Sequence, residues 1–170
     1  MMKYIFLLLS LAFALNGFSQ AEDENFYLND SKITWQKAYA TKKTQEEVFA
    51  YFEKSKKFDS FKIENNQLFA KLKPHATDPE KTGVAAVPGI VNKNDFKGMV
   101  VIQYRAKEKD YLVTMTDMLL VGRGDFFKKN EEQTFEDHYL KKGVSEYRPY
   151  FVKQVKSVYN TTFSAIFKMK

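Results

Sequence analysis

The chain has 170 residues, with 27 Lys plus Arg against 21 Asp plus Glu, two His and no Cys, and 44% of it is hydrophobic. That length suits one domain, and the balance is globular rather than disordered. The lack of Cys excludes disulfides, thiolate metal sites and a lipid anchor on an N-terminal Cys, so the fold must rest on apolar burial alone.

The first twenty residues read as an address. Lys3 supplies a short positive region, Ile5 to Leu15 is apolar apart from Ser10, and Gly17-Phe18-Ser19 places small residues where signal peptidase reads. We expect a signal peptide over residues 1–19, cut after Ser19 or Gln20. The apolar run is too short to span a bilayer, which takes about 18 residues or more. The expected destination is the periplasm, with the exterior as the alternative. Losing the single leader Lys lowers the net charge from +6 to +5, a mild basic bias.

Residues 20–32 are polar and acidic and read as a flexible leader to a single domain over 33–170. Ile33 to Thr41 reads as a strand, with Ile33, Trp35 and Tyr39 on one face and Thr34, Gln36, Ala38 and Ala40 on the other. Thr44-Gln45-Glu46-Glu47 fits a capping box, and Val48, Phe49 and Phe52 recur at helical spacing, predicting a helix that ends near Phe58. Phe61 to Leu72 predicts a hairpin about Asn65-Asn66, because Asn tolerates the positive φ that tight hairpins need. Its pairing puts Phe61, Ile63, Leu68, Ala70 and Leu72 together, opposite Lys62, Glu64, Gln67, Phe69 and Lys71. Pro74 to Asp95 reads as a long loop with an apolar centre (Val84 to Val87, Ile90, Val91), a flap lying on some other surface.

Phe96 to Ala106 and Tyr111 to Val121 form the strongest pattern, a long hairpin about Lys107 to Asp110. Val100, Ile102, Tyr104, Tyr111, Val113 and Met115 fall on one face. Val101, Leu112 and Met118 join Gln103, Arg105, Thr114 and Thr116 on the other. Gly122 to Gln133 is a polar loop, and Thr134 to Lys142 fits either a short helix or a strand. Pro149 then suits the first turn of a helix whose stripe runs through Phe151, Val152, Val155, Val158, Tyr159, Thr162, Phe163, Ile166 and Phe167.

Little here carries chemistry. His75 lies near Asp78 and Glu80 in a loop, but one nitrogen donor is too few for a zinc site. His138 has adjacent acids, and sequence neighbours rarely build a triad. No nucleophile elbow, metalloprotease motif or phosphate loop occurs. Arg123-Gly124-Asp125 spells a short adhesion tripeptide, and Asn29-Asp30-Ser31 and Asn160-Thr161-Thr162 match the glycan acceptor pattern, the second within the predicted helix; all are weak matches. The basic pairs Lys128-Lys129 and Lys141-Lys142 read as solvated faces, with phosphate or anionic lipid as the alternative. No cofactor, no metal and no catalytic residue is expected, and nucleic acid is not expected as a partner.

The element order is strand, helix, hairpin, long hairpin, C-terminal helix. With Ile33-Thr34-Trp35 ahead of a capped helix, and Lys109 to Asp117 (KDYLVTMTD) after a long strand, the chain from about Ile33 to Lys170 resembles a family of exported proteins from Gram-negative bacteria. That family is a domain of unknown function with a TBP-like fold. The resemblance implies an α+β fold, an antiparallel sheet with an N-terminal helix and a long C-terminal helix on one face. Cystatin-like and helix-grip arrangements are the alternatives. On the TBP-like fold both the Tyr104/Met115 face and the Phe61/Ile63 face meet the helices. The open face is left with Gln36, Phe69, Gln103, Arg105, Thr114 and Thr116, a half-polar surface suited to a partner. The expected function is a non-catalytic binding or protein-interaction module. A carrier holding an apolar ligand between sheet and C-terminal helix, and a weak hydrolase using His138 or His75, are the competing readings.

Overall fold

The computed structural model describes residues 25–83 and 86–170. The expected signal peptide therefore lies outside the described residues, as do Val84 and Ala85 of the long loop. Strands β1 (Phe26–Asn29), β2 (Lys32–Ala40), β3 (Phe58–Glu64), β4 (Gln67–Ala76), β5 (Asn94–Arg105), β6 (Asp110–Gly122) and β7 (Glu132–Thr134) make one antiparallel sheet in the order β1-β2-β6-β5-β4-β3, with β7 added to β6. Helix α1 (Gln45–Lys54) follows β2, short helices α2 (Gly89–Asn92) and α3 (Phe135–Tyr139) sit in the connections, and α4 (Lys156–Phe167) is the long C-terminal helix.

Local chemistry explains most of these boundaries. The Thr44 hydroxyl accepts from the Glu47 N–H, and the Glu47 carboxylate accepts from the Thr44 N–H, closing the capping box that starts α1. The helix stops at Lys54, before the expected Phe58, because Ser55 caps it and Lys56 adopts a φ of +57°. Asn65 and Asn66 take φ of +49° and +60°, as the two-residue turn between β3 and β4 requires. Thr134 caps α3 through the Asp137 N–H, so the ambiguous segment after it is a short helix.

The core lies between the sheet and the two main helices. Val48, Phe49 and Phe52 of α1 are buried, and Phe52 packs edge-on against Tyr111 and Phe58. Phe163 of α4 packs against Trp35 at 5.5 Å and Phe96 at 4.9 Å between ring centroids, and Phe167 packs on Trp35. With no disulfide available, this dense set of edge-to-face and tilted rings supplies both area and orientation. Val100, Ile102, Tyr111, Val113 and Met115 point into the same layer, as their alternation predicts.

Several sequence expectations need correction. The segment 20–32 is not wholly a flexible leader: residues Phe26–Asn29 pair with β2, and Phe26 is buried against Phe151 and Phe163. The first part of the expected flap continues β4. The ladder to β5 is irregular between Leu72 and His75, where Pro74 has no N–H to give. Beyond a 3₁₀ turn at Pro79–Thr82, Val91 is fully buried and Val87 and Ile90 rest on the core. The Asp78 N–H reaches the Thr162 hydroxyl, so the surface under the flap includes α4.

Met118 belongs to the core face, not the open one. Asp117 takes a φ of +46° and the register shifts opposite Gly98, so one extra residue in β6 turns Met118 and Leu120 inward. Gly98 makes the bulge possible, because a Cβ there would stand 2.8 Å from Met115 Cε and 2.9 Å from the Thr116 carbonyl. Phe61 and Ile63 share the side of buried Leu68 and Ala70, yet remain exposed because β3 is the sheet edge. Val152 is exposed too. A π-helical turn at Phe151–Val155 adds a residue to the helical register, so Val155 and Val158 carry the stripe instead.

Candidate functional site, the open sheet face

Strand alternation leaves one broad side of the sheet without helices. Across it, the pairings Phe69↔Val101, Val101↔Thr114 and Thr114↔Gln36 place these residues in a row spanning β4, β5, β6 and β2. The Gln36 amide donates to the Thr114 hydroxyl at 2.9 Å, bridging the two neighbouring strands. Thr116 pairs with Met99 one row away, and Gln103 pairs with both Gln67 and Leu112 on the other side. Met99 and, near the β1 edge, Tyr27 are large apolar groups about four-tenths exposed. The sequence reading did not include either. Met99 fell outside the quoted alternation, and Tyr27 fell in the expected leader.

Arg105 stands apart from this surface chemically. Its guanidinium donates two bonds to Asp110, at 2.7 and 2.6 Å, closing the end of the β5–β6 hairpin. The Asp110 bond holds its pKa above the ordinary arginine value. A bidentate, mutually satisfied pair has little charge left for a partner. Gln36, Phe69, Gln103, Thr114 and Thr116 thus share the open surface, and Arg105 braces its end.

Among the described residues neither histidine ring hydrogen-bonds a carboxylate. His75 Nδ1 is 2.7 Å from the Lys73 carbonyl, and its ring lies beside Phe96. His138 Nε2 is 2.6 Å from the Gln133 side-chain oxygen, and its ring packs on Phe127. Burial lowers the His138 pKa, with Asp137 opposing and Arg148 assisting. Both rings are therefore held by neutral oxygen acceptors. Asp78, near His75 in sequence, instead pairs with Lys81. Among the described residues no group of three or more His, Cys, Asp or Glu could hold a metal ion.

The other sequence motifs are absorbed by the fold. Arg123 bonds Asp95 and the Asn92 carbonyl, so the adhesion tripeptide is internally engaged. Asn160 accepts from both Trp35 Nε1 and Asn25 Nδ2. Lys141 pairs with Glu146.

At one end of the sheet, where β2 leads into α1, lies a cavity of about 790 Å³. Lys42, Lys43, Lys168 and Lys170 line it together with Glu47 and Tyr39. Tyr111 closes its floor, stacked on Tyr39 at 5.1 Å. No periodicity brings residues this far apart in sequence together; the end of β2 and the segment after α4 meet only in the folded chain.

No family model matches the chain, and no curated protein does. Among solved structures, a TBP-like protein from Parabacteroides distasonis is similar, with a TM-score of 0.52 and 13% identity over 83% of this chain and 94% of that one. A DUF4468 family protein from Bacteroides ovatus aligns with a TM-score of 0.49 and 9% identity, over 84% of this chain and 86% of that one. The fold is thus α+β with a TBP-like architecture, an antiparallel sheet flanked by an early helix and a long C-terminal helix. No helix among the described residues is long and apolar enough to cross a membrane.

Proposed function

We propose that the protein is an exported, non-catalytic binding module that holds a partner protein on its open sheet face. The observation that carries this reading is the row Phe69, Val101, Thr114 and Gln36 with exposed Met99 beside it. Apolar patches alternate there with hydroxyls and amides on a rigid ladder. Apolar groups mixed with hydrogen-bonding side chains are the composition of an interface that forms between separately folded proteins. The leader pattern over residues 1–19 supports export, with the periplasm as the destination. An apolar-ligand carrier is less well supported, because the aromatic stripe of α4 is spent on ring contacts with Trp35, Phe96 and Phe135.

The test is capture from periplasmic extract with the mature protein as bait, compared with Met99→Asp/Thr114→Arg. Both positions are surface-facing, so the double variant keeps its thermal transition. Loss of a captured partner in that variant, with retention in Lys153→Glu on the exposed side of the π-helical turn before α4, supports the site. Equal capture by all three removes it. Intact mass of the exported chain, starting at Gln20 or Ala21, tests the leader; a mass retaining Met1 refutes it.

A further inference from the structure

The lysine-lined cavity at the end of the sheet is separate from the Met99/Thr114 rows and does not depend on them. Its two walls are fixed by the fold rather than left to loop motion. On one side, the Tyr104 hydroxyl donates to the Lys43 carbonyl at 3.1 Å, and the Thr41 N–H donates to the Lys109 carbonyl at 2.9 Å. On the other, the Tyr111 hydroxyl donates to the Phe167 carbonyl at 2.8 Å and accepts from the Met169 N–H at 3.2 Å. The backbone that carries Lys42 and Lys43 and the backbone that carries Lys168 and Lys170 are thereby fixed around one opening.

The side chains lining this opening carry a net positive charge, four ammonium groups against one carboxylate. None of the four ammonium groups has an ion-pair partner among the described residues. Glu47 is the acidic side chain in the lining; its carboxylate accepts from the Thr44 N–H of the capping box and keeps its charge, so it offsets one of the four ammonium groups. Lys57 adds to the field from behind. Its ammonium bonds the Ile166 carbonyl, and its pKa is lowered by burial and by Lys170. The floor does not oppose an anion. Burial pushes the Tyr111 phenol up to about 12 and the Tyr39 phenol higher still, so both stay neutral at ordinary pH.

We propose that this cleft binds a compact polyanion bearing phosphoryl groups. Ammonium groups borne on two fixed walls gain more from one multiply charged ligand than from separate monovalent ions, because the ligand replaces several counterions at once. The half-buried Tyr39 ring, stacked on buried Tyr111, and the Met169 wall give such a ligand an apolar bed for any organic portion. Lysine suits this use, being a compact charge on a flexible stem that tolerates varied phosphoryl geometry.

The source of the phosphoryl group is either a soluble ester or a lipid headgroup, and the experiment separates them. Mature protein in low-salt buffer is titrated with inorganic pyrophosphate and followed by backbone amide shifts. A second arm measures co-sedimentation with phosphatidylcholine vesicles carrying phosphatidylglycerol. Each arm includes Lys42→Glu/Lys168→Glu and a charge-matched control, Lys129→Glu/Lys153→Glu, and folding is checked by urea titration of Trp35 fluorescence. The expected result is saturable shifts confined to residues 41–44 and 167–170, weakened at least about tenfold in the first variant and less than about twofold in the control. Co-sedimentation that falls in the first variant and not in the control assigns the group to a lipid headgroup; pyrophosphate binding without it assigns a soluble ligand. Shifts scattered over the whole basic surface, equal losses in both variants, or no response in either arm overturn the proposal.

Discussion

Tyr111, Val113 and Met115 of β6 lie under two helices, sealed from water, while Leu112, Thr114 and Thr116, their immediate neighbours, face outward with no helix above them. The same strand therefore serves two environments at a spacing of a few ångströms. On the inner side rings pack on rings, as Phe163 does on Trp35, Phe96 and Tyr159; on the outer side hydroxyls, amides and isolated apolar groups alternate. The difference teaches that packing is concentrated on one face, so the outer face, where the proposed function puts recognition, can be altered with little effect on the core.

The largest expected effect comes from the inner face. Phe163→Ala removes a ring in contact with Phe26, Trp35, Phe96 and Tyr159, and should cost about 3–5 kcal/mol. Phe69→Ala, half-buried on the outer face, should cost about 1 kcal/mol. Urea midpoints of the two variants measure the contrast directly, and similar losses would break it. Gly98→Ala comes next. Its Cβ would press on Met115 and on the Thr116 backbone where the bulge crosses, at a cost of about 1–3 kcal/mol in the same assay.

The smallest effect is a pH dependence at the rim. Burial lowers the folded pKa of His138, so the unfolded chain takes up its proton first as pH falls through about 6.5. Stability contributed by the neutral ring is complete above that value. It declines as pH drops toward the folded pKa and flattens below it. His138→Gln should flatten that part of the stability curve, and an NMR titration of the imidazole should show a midpoint below the unperturbed value.

Signals that act within one or two turns were legible in the sequence. The Thr44 capping box, the Asn65-Asn66 turn and the β5–β6 alternation up to Thr116 each depend on residues close together in the chain, and each stands in the fold as read. The features that escaped are set by partners distant in sequence. Four residues of β1 become a strand only because β2 offers an edge and Phe151 offers a bed for Phe26. The bulge at Asp117 reverses the alternation for Met118, and nothing in the neighbouring residues announces it except Gly98 on the opposite strand. Most of the open-face set was readable because it follows strict alternation. Arg105 was misjudged as available surface because its bond to Asp110 closes across a hairpin end.

One indole sits where β2 meets α4. Trp35 pairs on β2 with Met115, hydrogen-bonds Asn160 and is clasped by Phe163 and Phe167. The β3–β6 meander assembles from neighbouring strands, whereas β2 and α4 must return from opposite directions across long loops, the slower class of event. As the chain's single tryptophan, this residue gives the protein a built-in optical gauge, whose emission should change when β2 and α4 lock together and stay constant while the meander forms.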